Sequence, residues 1–302
     1  MTRFTIPIAS LANLLICALA TVPALAQARV FVAAQGSDGN PCTFAQPCRT
    51  FQHAHNIVAA GGEINVLDPA GYGALTITKA VSVQGHGFAG ISVPSGSPGI
   101  AINAQTATDK INLTGLIIDG AGVGERGIVF LAGGSLTIRD CIIRNLTGRG
   151  IDFHPIATSN LTVSDTLVSD NGGRGIFVGP TGATTVSAVF NRVEVYNNIV
   201  AGITLSPGVA ALVVATSTDS VAAYNGGHGF GTLEGGTFSI IRSLSAYNSV
   251  GIEQIGDFSS IYPSQSTVHS NSAGLSGGHI NSFSDNNIFL NSSVSTQTIP
   301  KQ

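Results

Sequence analysis

A glycine followed by an apolar residue recurs at steps of 22 to 27 residues along this 302-residue chain. Short runs of alternating apolar and polar residues precede these pairs, and such alternation is typical of β-strands. A period of about 25 residues built from short strands and turns predicts a solenoid, in which equivalent strands of successive coils pair in parallel. The repeated pairs are Gly127-Ile128, Gly150-Ile151, Gly175-Ile176, Gly202-Ile203, Gly229-Phe230, Gly251-Ile252 and Gly274-Leu275.

Asparagine is the second repeated residue, and it comes three to five positions before the glycine. Side-chain amides that stack in register can donate to one neighbouring coil and accept from the other. Asparagine also tolerates the left-handed backbone conformation that a sharp bend requires. We therefore predict a structural ladder formed by Asn145, Asn171, Asn197, Asn225, Asn248 and Asn271.

The composition narrows the class of protein further. Charged residues make up 10% of the chain, the formal net charge is -3, and hydrophobic residues reach 43%. This balance excludes a disordered chain and a charge-rich coiled coil. It also argues against non-specific binding of nucleic acid, since the chain has no basic run.

The N-terminus has the features of a secretory signal peptide. Arg3 precedes an apolar stretch from Leu11 to Val22, and Ala24-Leu25-Ala26 forms a small-x-small cleavage site. The apolar stretch is shorter than the ~20 residues that span a membrane. We predict that residues 1–26 are removed by cleavage near Ala26, and that the mature protein is secreted, extracellular or periplasmic, without a membrane span.

Three cysteines remain after such a cleavage. Their expected oxidation state depends on whether the protein is exported to an oxidising compartment. Cys42 and Cys48 lie in a segment held by two prolines, and in an oxidising compartment we expect a disulfide between them. No second ligand pair has metal-like spacing, so the sequence predicts no metal site at these cysteines or at the histidines. Cys141 lies in an apolar run and is predicted to be a small core residue.

The asparagine turn followed by Gly-Ile resembles the repeats of the right-handed parallel β-helix proteins of the pectate-lyase-like superfamily. The entry segments, residues 30–39 and 47–54, resemble theirs too. The resemblance implies an all-β right-handed parallel β-helix of about eight to nine coils. It implies one domain over residues 27–302, with a cap and first coil (27–74), repeat coils (75–292) and a tail (293–302). A first strand and a short helix would close the N-terminal end, and one face of that helix would carry Phe51, Ala54, Ile57 and Val58.

A basic column is the most unusual charge pattern. Arg126, Arg149 and Arg174 each immediately precede the Gly-Ile pair, and His228 holds the same place two coils after Arg174. Guanidinium groups ~5 Å apart repel each other unless they are paired or face an anion. One interpretation is a binding site for an extended acidic glycan, whose carboxylates arginine clamps. The alternative is pairing with two flanking acids, Glu125 and Asp152.

A second column is acidic. Asp140 and Asp165 occupy equivalent positions, which Asn191 and Asp219 continue in the next coils. Two stacked carboxylates could hold a cation or have raised pKa values. Pectate lyases of the superfamily hold calcium with carboxylates and use Arg or Lys as the base. The resemblance therefore implies weak catalytic candidates, and the alternative is solvated turn residues; the candidates are Asp140, Asp165 and Arg149.

Three functions remain open at this point. The first is a non-catalytic secreted protein that associates with extracellular polysaccharide or the cell surface and needs no cofactor. The second is a polysaccharide lyase or glycoside hydrolase that acts on an acidic glycan, with calcium as its cofactor in the lyase case. The third is a structural or adhesin rod. The residues predicted to contact a ligand are Arg126, Arg149, Arg174 and His228.

Overall fold

The computed structural model describes residues 27–295 and the backbone of residues 297–299. The predicted signal peptide, residues 1–26, lies outside this part of the chain. The described residues form one helix, α1 (Phe51–Ile57), and 27 strands. Among them, no helix has the length and apolar character needed to cross a membrane.

The strands are short and follow one another without further helices. The first thirteen are β1 (Gln27–Val32), β2 (Val58–Val66), β3 (Ala70–Gly71), β4 (Leu75–Ile77), β5 (Val81–Ser92), β6 (Ile100–Asn103), β7 (Lys110–Asp119), β8 (Ile128–Ala132), β9 (Ser135–Arg139), β10 (Ile142–Arg144), β11 (Ile151–Phe153), β12 (Ser159–Ser169) and β13 (Arg174–Val178). The remaining fourteen are β14 (Thr185–Tyr196), β15 (Ala201–Leu205), β16 (Leu212–Thr218), β17 (Val221–Ala223), β18 (His228–Leu233), β19 (Gly236–Ile241), β20 (Leu244–Ala246), β21 (Val250–Ile255), β22 (Ser260–Ser264), β23 (Thr267–His269), β24 (Ala273–Ser276), β25 (Asn281–Phe283), β26 (Asn287–Phe289) and β27 (Gln297–Ile299).

These strands wind into a parallel β-helix. A 16-stranded sheet, here called the long sheet, and a nine-stranded sheet, the short sheet, run along the rod. The apolar residue after each repeated glycine is buried and pairs in register with its equivalent in the next coil. The predicted solenoid is therefore confirmed, and the column extends two coils further toward the N-terminus: it consists of Leu75, Ile100, Ile128, Ile151, Ile176, Ile203, Phe230, Ile252 and Leu275.

The N-terminal end is closed by β1, which pairs with β2, and by α1. The Thr50 hydroxyl accepts from the backbone N–H of His53 at 3.2 Å and so begins the helix. Phe51 and Ala54 are buried against the first coil, as expected of a cap. The helix ends at Ile57, so Val58 belongs to β2 and not to the helical face.

The cysteines lie as the sequence predicts. A disulfide joins Cys42 to Cys48, whose Cα atoms are 4.6 Å apart. Cys141 is a free, buried cysteine, and burial raises the pKa of its thiol to about 11. A thiol with so high a pKa is unreactive at neutral pH, which fits a core residue.

A ladder of asparagines, all buried except the last, runs along one corner of the rod. Each side-chain Nδ2 donates to the Oδ1 of the asparagine one coil later, at 2.9 to 3.1 Å. The backbone N–H of each asparagine donates to the same Oδ1. The ladder satisfies polar groups that the turn would otherwise leave buried and unpaired. Its members are Asn171, Asn198, Asn225, Asn248, Asn271 and Asn291.

Two of the predicted ladder residues are misplaced by one position. Asn145 and Asn197 lie just before the ladder, with φ of 56° and 53°. Asn145 donates to Asp119 and Asn197 donates to Asp170, so both bond across the corner surface. Leu146 takes the ladder position in its coil, where its backbone N–H donates to Asn171. The correction follows from spacing, because the ladder asparagines precede the repeated glycine by three or four residues and these two precede it by five.

Candidate functional site

The basic column lies where the strands of the short sheet begin, since Arg174 is the first residue of β13, and Arg126 and Arg149 come two residues before β8 and β11. The backbone N–H of Gly127 donates to the carbonyl of Arg149, and that of Gly150 donates to the carbonyl of Arg174, both at 3.1 Å. The three arginines therefore stack on successive coils, as their spacing predicts. We call this surface the arginine face and define it as Arg126, Arg149, Asp152, Arg174 and Phe177.

Asp152 is the acid at the centre of the arginine face, and only 2% of its surface is exposed. Its carboxylate accepts from Arg149 Nη1 at 2.9 Å and from Arg126 Nη1 at 3.3 Å. Arg126 Nη2 also donates to Glu125 at 3.2 Å. A buried carboxylate is tolerated only when it is paired in this way. The predicted pairing with Glu125 and Asp152 therefore accounts for two of the three arginines.

Arg174 differs from the other two. It makes no ion pair with any of the described residues, and its Nε is buried without a hydrogen-bond partner there. Its guanidinium carbon lies 5.5 Å from the centre of the Phe177 ring. Burial and the nearby positive charge of Arg149 lower the pKa of Arg174. A buried donor without an acceptor is costly. Arg174 would therefore be stabilised by a bound anion, whereas Arg126 and Arg149 already have carboxylate partners.

Phe177 is the contact residue that the sequence analysis missed. It is the register partner of Asp152 on the next coil, so it occupies the same outward column. Its ring lies 3.9 Å from the guanidinium carbon of Arg149, a cation–π contact. The signal in the sequence is its position two residues after Gly175, which matches that of Asp152 after Gly150.

His228 belongs to the same column but is fully engaged. Its Nε2 lies 2.8 Å from the hydroxyl of Thr204, and its Nδ1 lies 2.8 Å from Glu253. The hydrogen bond from His228 lowers the pKa of Glu253. The ring lies against Gly231, where a Cβ atom would come within 2.6 Å of it. His228 is buried and holds three coils together, so it is not free to contact a ligand.

The acidic column lies on the long sheet, away from the arginine face. Asp165 accepts from Arg192 at 2.6 and 2.8 Å, and Asp140 accepts from Arg139 at 3.0 Å. The hydrogen bond from Arg192 lowers the pKa of Asp165, so this carboxylate does not have the raised pKa that stacking could give it. Both carboxylates are held by guanidinium groups that a calcium ion would have to displace.

The register of the acidic column also differs from the expectation. Asn191 pairs with Ser164, and the left-handed position after it belongs to Arg192, as it does to Asp140 and Asp165 in their coils. The next coils repeat the arrangement, since Arg242 donates to Asp219 at 2.8 and 2.9 Å. From Asp165 onward the corner therefore carries residues of alternating charge, namely Asp165, Arg192, Asp219 and Arg242. Arg149 lies beside the short sheet, two residues before β11, so the three weak catalytic candidates do not meet.

The comparisons with known proteins agree with this architecture. A family described as "Right handed beta helix region" matches residues 53–225, which is more than half of the chain. No curated protein matches this chain.

Solved structures of similar fold include three proteins named for polysaccharides. The pectate lyase Pel9A has a TM-score of 0.60 and 16% identity, over 88% of this chain and 79% of that one. A rhamnogalacturonan lyase has a TM-score of 0.55 and 14% identity, over 89% and 73%. The A-module of the Azotobacter vinelandii mannuronan C-5 epimerase AlgE4 has a TM-score of 0.50 and 15% identity, over 80% and 87%. At these identities the likeness shows the fold.

Proposed function

The chain belongs to the right-handed β-helix family, and we propose that it binds an acidic extracellular polysaccharide on its arginine face. The observation that carries the proposal is Arg174. Its Nε is buried, has no partner within residues 27–295, and belongs to a guanidinium group next to a second arginine. Arg174 as a whole is only partly buried, so a carboxylate from a sugar can reach its guanidinium group, accept from it and relieve the repulsion between the two cations.

The charge on this surface favours the same ligand. Three guanidinium groups, from Arg126, Arg149 and Arg174, face two carboxylates, from Glu125 and Asp152. The excess of one positive charge lies at Arg174, because both carboxylates are bonded to the other two arginines. An anion at Arg174 therefore completes the pairing of the whole column.

The shape of the surface suits a polymer. Successive coils of a parallel β-helix are ~4.8 Å apart, which is close to the length of one sugar unit. An extended chain lying along the rod would place successive sugars over successive coils. The neighbours of similar fold are named for pectate, rhamnogalacturonan and mannuronan, and these names make polyuronates the first polymers to test.

The disulfide between Cys42 and Cys48 supports a location in an oxidising compartment, where such polymers are encountered. We infer that the protein acts outside the cytosol, as the predicted signal peptide implies. The third open function, a structural rod, does not explain why the Nε–H of Arg174 has no acceptor among the described residues.

Calorimetric titration with oligogalacturonate and with a neutral oligosaccharide of equal length tests the proposal. We expect Arg174→Ala to weaken binding of the acidic oligosaccharide by ~10-fold or more, since one charged hydrogen bond contributes ~1.5–3 kcal/mol. Arg242→Ala, on the long sheet, is the matched control and leaves binding unchanged. Equal affinity of the wild type and Arg174→Ala, or no preference for the acidic oligosaccharide, would refute the proposal.

Lyase activity is the second candidate, and one observation favours it. A lyase base must be deprotonated more easily than an ordinary arginine, and the pKa of Arg174 is lowered by burial and by Arg149. Under this candidate Arg174 replaces Arg149 as the base. Incubation with polygalacturonate and alginate, with and without calcium, tests this candidate. Absorbance from unsaturated products that the wild type forms and Arg174→Ala does not form would establish a lyase. If the wild type forms no such products, the lyase candidate is wrong and the binding function remains.

A further inference from the structure

Two sulfur atoms and an imidazole nitrogen come together at the N-terminal cap. The ligand atoms of Cys42, Cys48 and His53 all lie within 4.8 Å of one another. We propose that, in the thiol form that precedes the disulfide, these three residues bind one thiophilic divalent cation of the Zn²⁺ type. The spacing Cys-x5-Cys-x4-His lies within one short segment and lacks the second cysteine or histidine pair by which zinc sites are usually recognised in a sequence.

The backbone places the two cysteines without help from the disulfide. The carbonyl of Cys42 accepts from the N–H of Phe31 at 2.8 Å, and the N–H of Cys48 donates to the carbonyl of Phe31 at 2.9 Å. Both cysteines are therefore tied to the same residue of β1. A pair held in this way keeps its separation when the sulfur–sulfur bond is absent.

The third ligand is placed by the helix cap. The hydroxyl of Thr50 accepts from the N–H of His53 at 3.2 Å, which fixes the first turn of α1. Asp38 accepts from the N–H groups of Arg49 and Thr50 at 2.9 and 3.0 Å and locks the entry to that turn. These bonds are independent of the cysteine side chains, so His53 keeps its position beside them.

The ligand chemistry suits zinc. Tetrahedral Zn²⁺ with thiolates at ~2.3 Å needs its two sulfurs ~3.8 Å apart. Cα atoms 4.6 Å apart allow this separation by rotation of the cysteine side chains alone. The set is Cys₂His with a fourth position open to water, and three protein ligands with one open position are an established zinc arrangement. His53 is only partly buried, which leaves a route for the ion from solvent.

The surroundings favour a cation and disfavour free thiolates. Cys42 and Cys48 are both fully buried, and a buried thiolate is costly unless a positive charge compensates it. Binding releases the two thiol protons to solvent and involves no transfer of electrons. Disulfide formation instead removes two protons and two electrons and leaves His53 as the only free donor, so the two states exclude each other.

Cobalt titration of the purified protein tests this site. After reduction with a phosphine, the wild type should bind one Co²⁺ and show intense sulfur-to-cobalt charge-transfer absorption, which one equivalent of Zn²⁺ removes. Cys42→Ser should lose most of that absorption. His53→Ala should bind at least ~10-fold more weakly, since loss of even an outer partner of a ligand costs about that much.

The disulfide form of the wild type and His279→Ala are the controls. The disulfide form should show no charge-transfer band, and His279→Ala should bind Co²⁺ as the reduced wild type does. Circular dichroism of each reduced protein establishes that the β-helix is intact. No charge-transfer band in the folded, reduced wild type would overturn the proposal, and so would wild-type affinity in folded His53→Ala.

Discussion

The guanidinium carbon of Arg149 lies 3.9 Å from the centre of the Phe177 ring, although the two residues belong to different coils. Arg174, on the same coil as Phe177, lies 5.5 Å from that ring centre. One aromatic ring therefore contacts two like charges, while the carboxylate of Asp152 is hydrogen-bonded only to the first of them. This arrangement leaves the second cation partly buried and without an ion pair among residues 27–295.

Replacing Phe177 by leucine tests whether the ring holds the arginine face together. A cation–π contact contributes ~0.5–2 kcal/mol, depending on how far it is desolvated. We expect Phe177→Leu to lower the free energy of unfolding in urea by about 1–3 kcal/mol, because the two contacts and some buried surface are lost. Phe258→Leu makes the same chemical change at a residue that is 91% exposed, and should cost less than ~0.5 kcal/mol. Equal effects of the two variants would contradict this role.

The adjacent asparagines 197 and 198 give a matched test of the ladder. Asn198→Leu removes the acceptor of both donors of Asn171 and a donor to Asn225. Each buried group left unpaired costs ~1–3 kcal/mol, so we expect a loss of ~3 kcal/mol or more in urea unfolding. Asn197→Gly should change stability by less than ~0.5 kcal/mol, since this exposed residue is left-handed and glycine tolerates that conformation. The ladder assignment is wrong if the two variants exchange these effects.

Acid should weaken the N-terminal cap through His55. Burial and the charge of Lys79 lower the pKa of this buried histidine below 6.5, and its Nε2 accepts from the N–H of Thr78 at 3.3 Å. The unfolded chain therefore binds a proton at a higher pH than the folded chain does. The stability that the neutral ring contributes is full above pH ~6.5 and is lost as the pH falls toward the lower folded-state pKa.

Thermal unfolding of the wild type and His55→Gln at several pH values measures this effect. The amide of glutamine can still accept a hydrogen bond but does not titrate in this range. The wild type should lose more stability than His55→Gln between pH 7 and pH 5. Parallel curves for the two proteins would show that His55 does not carry the acid sensitivity.

The ion pair of Asp165 and Arg192 should contribute little to stability. The pair is bidentate, but both side chains are substantially exposed, and exposed pairs contribute ~0.2–1 kcal/mol. A double-mutant cycle of Asp165→Asn and Arg192→Gln in urea should give a coupling in that range, which added salt reduces. A coupling of several kcal/mol would mean that this corner, and not the asparagine ladder, stabilises the stacking of the coils.

The repeat, the parallel pairing and the buried apolar column could be predicted from the sequence. Inward and outward residues alternate with a fixed period, so the Gly-Ile pair fixes which residue enters the core in every coil. The disulfide could be predicted because Cys42 and Cys48 have no competing partner nearby. The existence of an asparagine ladder could also be predicted, and four of its six members are the expected residues.

The details at the corners could not be predicted in this way. Asn197 and Asn198 are the same residue type, and only the distance to Gly202 distinguishes the bend from the ladder. The pairing of Arg192 with Asp165 could not be predicted, because both residues have a left-handed backbone that interrupts the alternation of the strand. The strand pattern alone therefore does not show which residues of neighbouring coils lie side by side there. The unpaired state of Arg174 depends on which arginines Asp152 reaches, and this is decided by side-chain geometry across coils.

In the proposed complex, the guanidinium group of Arg174 donates to a carboxylate of the bound polysaccharide. Nitrogen-15 NMR of the arginine Nε–H groups, recorded during titration with oligogalacturonate, observes that bond directly. We expect the Arg174 signal to move in a saturable way, while the signals of Arg192 and Arg242, already bonded to Asp165 and Asp219, stay in place. A titration that moves the signals of Arg192 and Arg242 and leaves that of Arg174 unchanged would show that the polysaccharide does not bind at the arginine face.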